Sequence, residues 1–374
     1  MNHRERFIQT LVFGQPDRIP LNPGEPREST LEAWHRQGLA PGVDWREQLC
    51  KTIGVGRDAF GQNETLDADF RMIPWFEEKV LEHKQGHLIV QDWKGNVCEI
   101  ADHFDVTYLR EPKDFVTRAW LRCPVENRED WERMKPRYVA GANERLPAGF
   151  AEKCTGLRNR EHVLGISLSG PFWQMREWCG FEGLCFLLLD EPDFVAEMAK
   201  FWEEFVYAVM ARVLEHIVPD VVVINEDMAY KAKAMISPAM AREYCQPSWR
   251  RWNEQLKTAG CPVVSVDSDG CVDALIPLWI EAGVNCCEPM EVAAHTDLPA
   301  LRKQFGRRMA YRGGVDKRCM AKGGQVIRDE LARLEPVIQD GGYIPACDHG
   351  VPADVSWPDY VEYSRLLAKM TGWI

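Results

Sequence analysis

From residue 163 onward, short apolar runs alternate with longer stretches in which apolar residues recur every three or four positions. The runs are VLGISLSG (163–170), VVVINED (221–227), CPVVSVDSDG (261–270), VNCCEPMEV (284–292), RMAYRGGVDKR (308–318) and GGYIPACDHG (341–350). Apolar runs without polar alternation predict strands covered on both faces, and hence a parallel sheet. The stretches between them predict helices. In the longest, which Asp190 is expected to cap, Phe194, Met198, Phe201, Phe205 and Val209 form one stripe. Residues 237–260 and the segments VDALIPLWIEAG, LPALRKQFG, GQVIRDELARLEPVIQDGG and WPDYVEYSRLLAKM read as further helices.

The front of the chain reads less regularly. Residues 1–13 predict a helix with Phe7, Leu11 and Val12 on one face. A brief strand at Ile19 to Leu21 precedes a Pro/Gly-rich loop with Glu25 and Arg27, and a second strand ends near Asn63 and Glu64. Residues 65–160 change character. A period-two pattern around the turn WKGN predicts an antiparallel hairpin, and DWERMKPRY a helix. Strand markers at Ile19, Ala59, Leu164, Val222, Val263, Asn285, Ala310 and Tyr343 make eight βα units. The expected fold is therefore α/β: one (β/α)8 TIM-barrel domain over residues 1–374, with a hairpin-containing insertion or cap, residues 65–160, before the third strand.

Barrel sites lie at the C-terminal ends of the strands. Glu226, Asp227, Asp267, Asp269, Glu288, Glu291, Asp316, Asp348 and His349 all fall there. A blander reading is that βα loops are polar and helix starts favour Asp, but that does not explain why so many acids coincide with strand ends. Crowded carboxylates repel, so either some are protonated or a cation sits among them. Asp267, Asp269, Glu288 or Glu291 with His349 could hold a divalent ion such as Zn²⁺. Alternatively, one acid stabilises a cationic substrate while His349 moves protons. The spacing leaves both open. His349, Asp348, Glu226 and Asp227 are the candidate catalytic residues, and Arg27, Asn63, Ser169 and Lys317 the candidate substrate contacts.

Composition narrows the partners. A net charge of −12 and a pI near 5.4 disfavour nucleic acid and anionic membranes. No apolar run approaches the roughly 20 residues that span a bilayer, and MNHRERFIQT lacks a signal-peptide core. Thirteen scattered cysteines without a CxxC pair suit reduced thiols in the cytoplasm. GxGxxG, P-loop, GxSxG and HExxH motifs are all missing from the sequence.

Several segments, in order, carry a family likeness: RERFIQTLVFGQPDRIP, FEGLCFLLLDEPDFVAEM, INEDMAYKAKAMISP, VVSVDSDGCVDALIPLWIEAGV, MAYRGGVDKR and GGYIPACDHGVP. Over nearly its whole length the sequence resembles the uroporphyrinogen decarboxylase superfamily, and within it the cobalamin-dependent methyltransferase-like branch. The resemblance implies a TIM barrel. Where the decarboxylases carry an Arg-rich first loop this chain has NPGEPREST with Arg27, and its second strand ends in FGQNE; His349 stands where they have a histidine in a GHG turn. Where the zinc methyltransferases have a His-x-Cys-Gly motif and a last-turn Cys, this chain has Asp267-Ser268-Asp269-Gly270 and His349, with Cys271 and Cys347 nearby. The resemblance thus implies an oxygen-rich zinc site and a methyl transfer from a small methylated compound, such as a methoxylated one, to a corrinoid. No DxHxxG motif is present, so the corrinoid is expected on a partner protein. The other expected partners are the small-molecule substrate and a second copy of the chain. Decarboxylation of a porphyrinogen-like or other carboxylate is the alternative.

Overall fold

The computed structural model describes residues 1–111 and 116–374. Among them the strands are β1 (Asn63–Thr65), β2 (Lys79–Lys84), β3 (His87–Gln91), β4 (Val97–Ala101), β5 (Arg118–Arg122), β6 (Val163–Ser169), β7 (Val221–Asn225), β8 (Val263–Asp267), β9 (Cys286–Glu288), β10 (Ala310–Val315) and β11 (Tyr343–Cys347). They form two sheets: a seven-stranded one in the order β1-β6-β7-β8-β9-β10-β11 and a four-stranded one in the order β2-β3-β4-β5. The chain divides into two compact units, residues 1–66, 149–168 and 216–374 in one, 67–148 and 169–215 in the other.

The first unit carries the parallel sheet, and this sheet is curled. Val163, Val221, Val263, Cys286, Ala310 and Ile344, from the starts of six strands, meet in one cluster with Phe7 and Leu11. Those two belong to the helix His3–Leu11, whose start is fixed by a capping box between Asn2 and Glu5. Its apolar face fills the interior at the N-terminal edge. The architecture is that of a TIM-type half-barrel with seven strands among the described residues.

The eighth expected strand, at Ile19, does not form. Pro16, Pro20, Pro23 and Pro26 remove backbone donors through this stretch, so no ladder can run along it. It instead makes isolated contacts on both sides: Leu21 N–H to the Ala59 carbonyl at 3.2 Å, and Val351 N–H to the Glu25 carbonyl at 2.8 Å. Ala59 likewise lies in a 3₁₀ turn, Arg57–Ala59, and the strand begins four residues later at Asn63.

In the second unit β3 and β4 pair antiparallel, Gln91 opposite Val97, with Lys94 and Gly95 in the turn between them. The helix Arg128–Met134 follows, capped by the Asn127 side chain. The longest helix is Pro192–Leu214, and its N-cap is Glu191 rather than Asp190, which ends the preceding helix Phe181–Asp190. Pro192 at the first helical position sets that boundary.

Candidate active site

Strand parity decides which acids face the barrel interior. The residues that build the inner cluster are Val263 on β8, Cys286 on β9 and Ala310 on β10. Two residues further on, the same face carries Ser265, Glu288 and Arg312; on β8 it ends in Asp267. Asn225 and Asp267 are register partners, as are Asp267 and Glu288. Glu288 accepts from the Ser265 hydroxyl at 2.8 Å and from Arg312 at 2.9 Å. Asn225 donates to Ser167 Oγ at 2.7 Å. A polar layer thus crosses the interior above the apolar floor.

Asp267 is the perturbed group in that layer. Burial, with the negative charges of Glu288, Asp269 and Asp227 adding to it and Arg312 opposing, raises its pKa to about 8. Part of the residue still meets solvent. Its neighbour Asp227 stands at φ 39, a left-handed conformation that Asp tolerates better than most residues. Gly270, which closes the D-S-D-G turn, sits at φ 85 with space for a Cβ only 2.6 Å from the Ala229 carbonyl carbon. Any side chain there would push the turn away from the Ala229–Tyr230 backbone that follows β7.

His349 and Asp269 form the outer part of the site. His349 Nε2 lies 3.2 Å from Asp269 Oδ2. Its Nδ1 accepts from the Gly350 N–H at 2.7 Å, and Arg27 Nη2 approaches it at 3.4 Å. The hydrogen bond to Asp269 raises the His349 pKa, against burial, Lys317 and Arg27. Donors aimed at Nδ1 leave the neutral ring's proton on Nε2, pointing at Asp269. About one third of each side chain is exposed (35% and 40%), so the pair meets solvent.

Other expected site residues do different work. Asp348 is fully buried. It accepts from Val292 N–H at 2.9 Å and Lys317 N–H at 3.3 Å, the first residues of the turn Val292–Ala294 and the helix Lys317–Lys322. It therefore ties the loops after β9 and β10 to the end of β11 and is not available as a surface acid. Burial raises its pKa, with Lys317 opposing. Lys317 Nζ lies 3.5 Å from Asp348 and 3.4 Å from Glu291, and Glu291 also accepts from Gly270 N–H at 3.2 Å. Glu226 is fully buried and accepts from the Trp249 indole on the helix Gln246–Ala259. By parity it faces the helices, since Val222 and Ile224 do, so it is not a catalytic residue of the interior. Asn63 begins β1 instead of ending it, and binds His3 at 3.2 Å. It thus lies at the opposite edge of the sheet from the acids. Ser169 ends β6 as expected; its carbonyl accepts from the Trp202 indole at 2.9 Å, and it belongs to the second unit.

Residues 119–361, well over half of the chain, match the family profile described as "Uroporphyrinogen decarboxylase (URO-D)". The chain belongs to the uroporphyrinogen decarboxylase family. No curated protein matches it in sequence. Among solved structures it is similar to a methyltransferase from Methanosarcina mazei, at 11% identity and a TM-score of 0.56 over 99% of this chain and 98% of that one. It is also similar to a putative vitamin-B12 independent methionine synthase from Listeria monocytogenes (10% identity, TM-score 0.38, 95% and 96% covered). A third is a B12-independent methionine synthase from Shewanella sp. W3-18-1 (14% identity, TM-score 0.38, 61% and 67% covered). At that identity the first shows the fold; the other two are too distant to bear on it.

The donors of this URO-D member do not fit the expected zinc site. Among the described residues no three His, Cys, Asp or Glu side chains are gathered to hold a metal ion. The cause is visible in the partners: Arg312 holds Glu288, Lys317 holds Glu291, and both His349 nitrogens are engaged. Cys347 is buried with its thiol pushed up to about 12, far from the thiolate a metal needs. Arg312 and Ser265 were not among the expected site residues. Their signal was an arginine and a serine at inward positions of otherwise apolar strands.

Proposed function

We propose that this URO-D family member is a methyltransferase that demethylates a small methylated compound, with Asp267 as the general acid. The observation that carries the reading is the place of the Asp267 carboxyl, at the C-terminal end of β8 beside the His349–Asp269 pair, where burial and the neighbouring acids Glu288, Asp269 and Asp227 favour its neutral form. When a nucleophile takes a methyl group from oxygen or nitrogen, the electron pair of the broken bond stays on that heteroatom, which then needs a proton. A neutral carboxyl supplies it, and a pKa near the working pH suits both donation and recovery. Asp269 keeps the His349 ring oriented, and Arg27 at the outer side of the ring is the contact for an incoming polar group. The full-length fold likeness to a protein described as a methyltransferase supports the same reading.

The acceptor in this reading is the Co(I) corrinoid of a partner protein, a co-substrate that supplies the nucleophile. The test is a screen of methoxylated and methylaminated compounds with free Co(I) cobalamin. Formation of methylcobalamin together with the demethylated product is expected for the unaltered chain, and formation of both slower by about 10²- to 10⁴-fold for Asp267→Asn. A carboxy-lyase would use the same acid to protonate carbon, so CO₂ release from carboxylated compounds without methylcobalamin would replace this reading with that one.

A further inference from the structure

The second unit contains a cavity of about 270 Å³ lined by Phe76, Gln91, Gly95, Arg122, Pro124, Asp130, Arg133, Met134 and Arg137. Three guanidinium groups and one carboxylate face it, in a chain whose net charge is −12. Arg133 is paired with Asp130 and Glu129. Among the described residues no carboxylate pairs with Arg122 or Arg137.

Arg137 is held in place without an acid. Its guanidinium lies 3.9 Å from the Phe76 ring centroid and donates to the Pro74 carbonyl. Its own carbonyl accepts from Ile73 N–H at 2.8 Å and from Arg145 at 3.0 Å. Phe76 is fixed in turn: its N–H donates to the Trp93 carbonyl at 2.9 Å, and the ring covers Gly95 so closely that a Cβ there would stand 2.8 Å from it. Arg122 is the last residue of β5, placed by pairing with Val97. One cation is thus pre-ordered by stacking, and a second stands at a strand end on the same cavity.

We propose that this cavity binds a small oxyanion ligand of the phosphate or carboxylate class. Guanidinium groups match such anions with two parallel hydrogen bonds. Ordering one beforehand removes part of the entropy cost of binding. The volume holds roughly nine waters at about 30 Å³ each, enough for a phosphate or carboxylate with a small organic group. This site is independent of the methyl-transfer reading.

Calorimetric titration of the full chain with inorganic phosphate and with malonate tests it and separates the two anion sources. Saturable one-to-one binding of at least one probe is expected, weakened tenfold or more in Arg137→Gln and in Arg122→Gln, while chloride at equal ionic strength gives none. Arg137→Gln also removes a contact to the Pro74 carbonyl and could disturb folding; Arg122 is exposed, so its variant, checked by circular dichroism, decides alone in that case. No saturable binding of either probe, or equal affinity in the unaltered chain and folded Arg122→Gln, overturns the proposal.

Discussion

At the scale of single residues the account rests on Asp267. Its pKa is raised from the ordinary carboxylate value of 3.8 to about 8. The unfolded chain therefore loses this proton before the folded chain does. The stability contributed by the neutral form is complete below the ordinary value and is lost as pH rises through about 8. Urea unfolding of the unaltered chain should show this decline, and Asp267→Asn should flatten it; an identical slope in both would assign the decline to another group. A second prediction concerns Trp249. Its indole donates to buried Glu226, so Trp249→Phe removes one donor from a buried carboxylate and should cost about 1–3 kcal/mol of stability. Chemical unfolding measures it, and an unchanged midpoint would mean that the bond contributes nothing. The sequence placed Asp267, Asp269, Glu288 and His349 together because strand ends are legible as the points where apolar runs stop. Glu226 belongs to the same pattern but turns out buried on the helix side, since one residue of strand parity separates the interior from the helix layer. Asp348 shares the inward parity of Ile344 and is buried instead by the two backbone N–H groups from which it accepts. Arg312 was missed for the converse reason: an inward arginine in mid-strand looks like a break in an apolar run until its partner Glu288 is seen beside it.

At the scale of elements, the strands from β6 to β11 were readable because each is apolar on both faces and bounded by Gly, Pro or Asp. The front of the barrel was not. Prolines at 16, 20, 23 and 26 preserve an extended path while removing the donors of a strand, and the three residues of β1 are too few for a pattern. What joins the elements at the site is Asp348, which receives the first N–H of two separate helical turns. Asp348→Ala frees both of these buried donors and leaves Lys317 without one of its two anions. A loss of about 3–5 kcal/mol is expected, measured by thermal or urea unfolding, with local hydrogen exchange accelerated first around Val292 and Lys317. Unchanged protection at those two positions would contradict the role given to Asp348. Gly313 is a similar joint: at φ 93, a Cβ would stand 2.0 Å from the Pro289 carbonyl oxygen. The run of two glycines at the end of β10 was visible in the sequence, but the backbone it must admit was not.

At the scale of the whole molecule, order of motifs made the family legible before any geometry, and the family profile over residues 119–361 agrees. The chemistry was less legible, because the same carboxylates serve a metal, a proton donor or an ion pair, and only their partners distinguish these. Internal cations, Arg312 on Glu288 and Lys317 on Glu291, occupy the role that a divalent ion was expected to fill. Protein purified without chelator should therefore contain far less than one zinc per chain, and a chelator should leave turnover unchanged; stoichiometric zinc lost together with activity would overturn that conclusion. The measurement closest to the central claim is the pH dependence of methyl transfer to Co(I) cobalamin, with the best donor, in the unaltered chain and in Asp267→Asn. The account predicts a rate that falls as pH rises through about 8. It predicts a variant slower by about 10²- to 10⁴-fold in which that decline is gone. A variant as fast as the unaltered chain, with the same alkaline decline, would show that Asp267 is not the acid of this site.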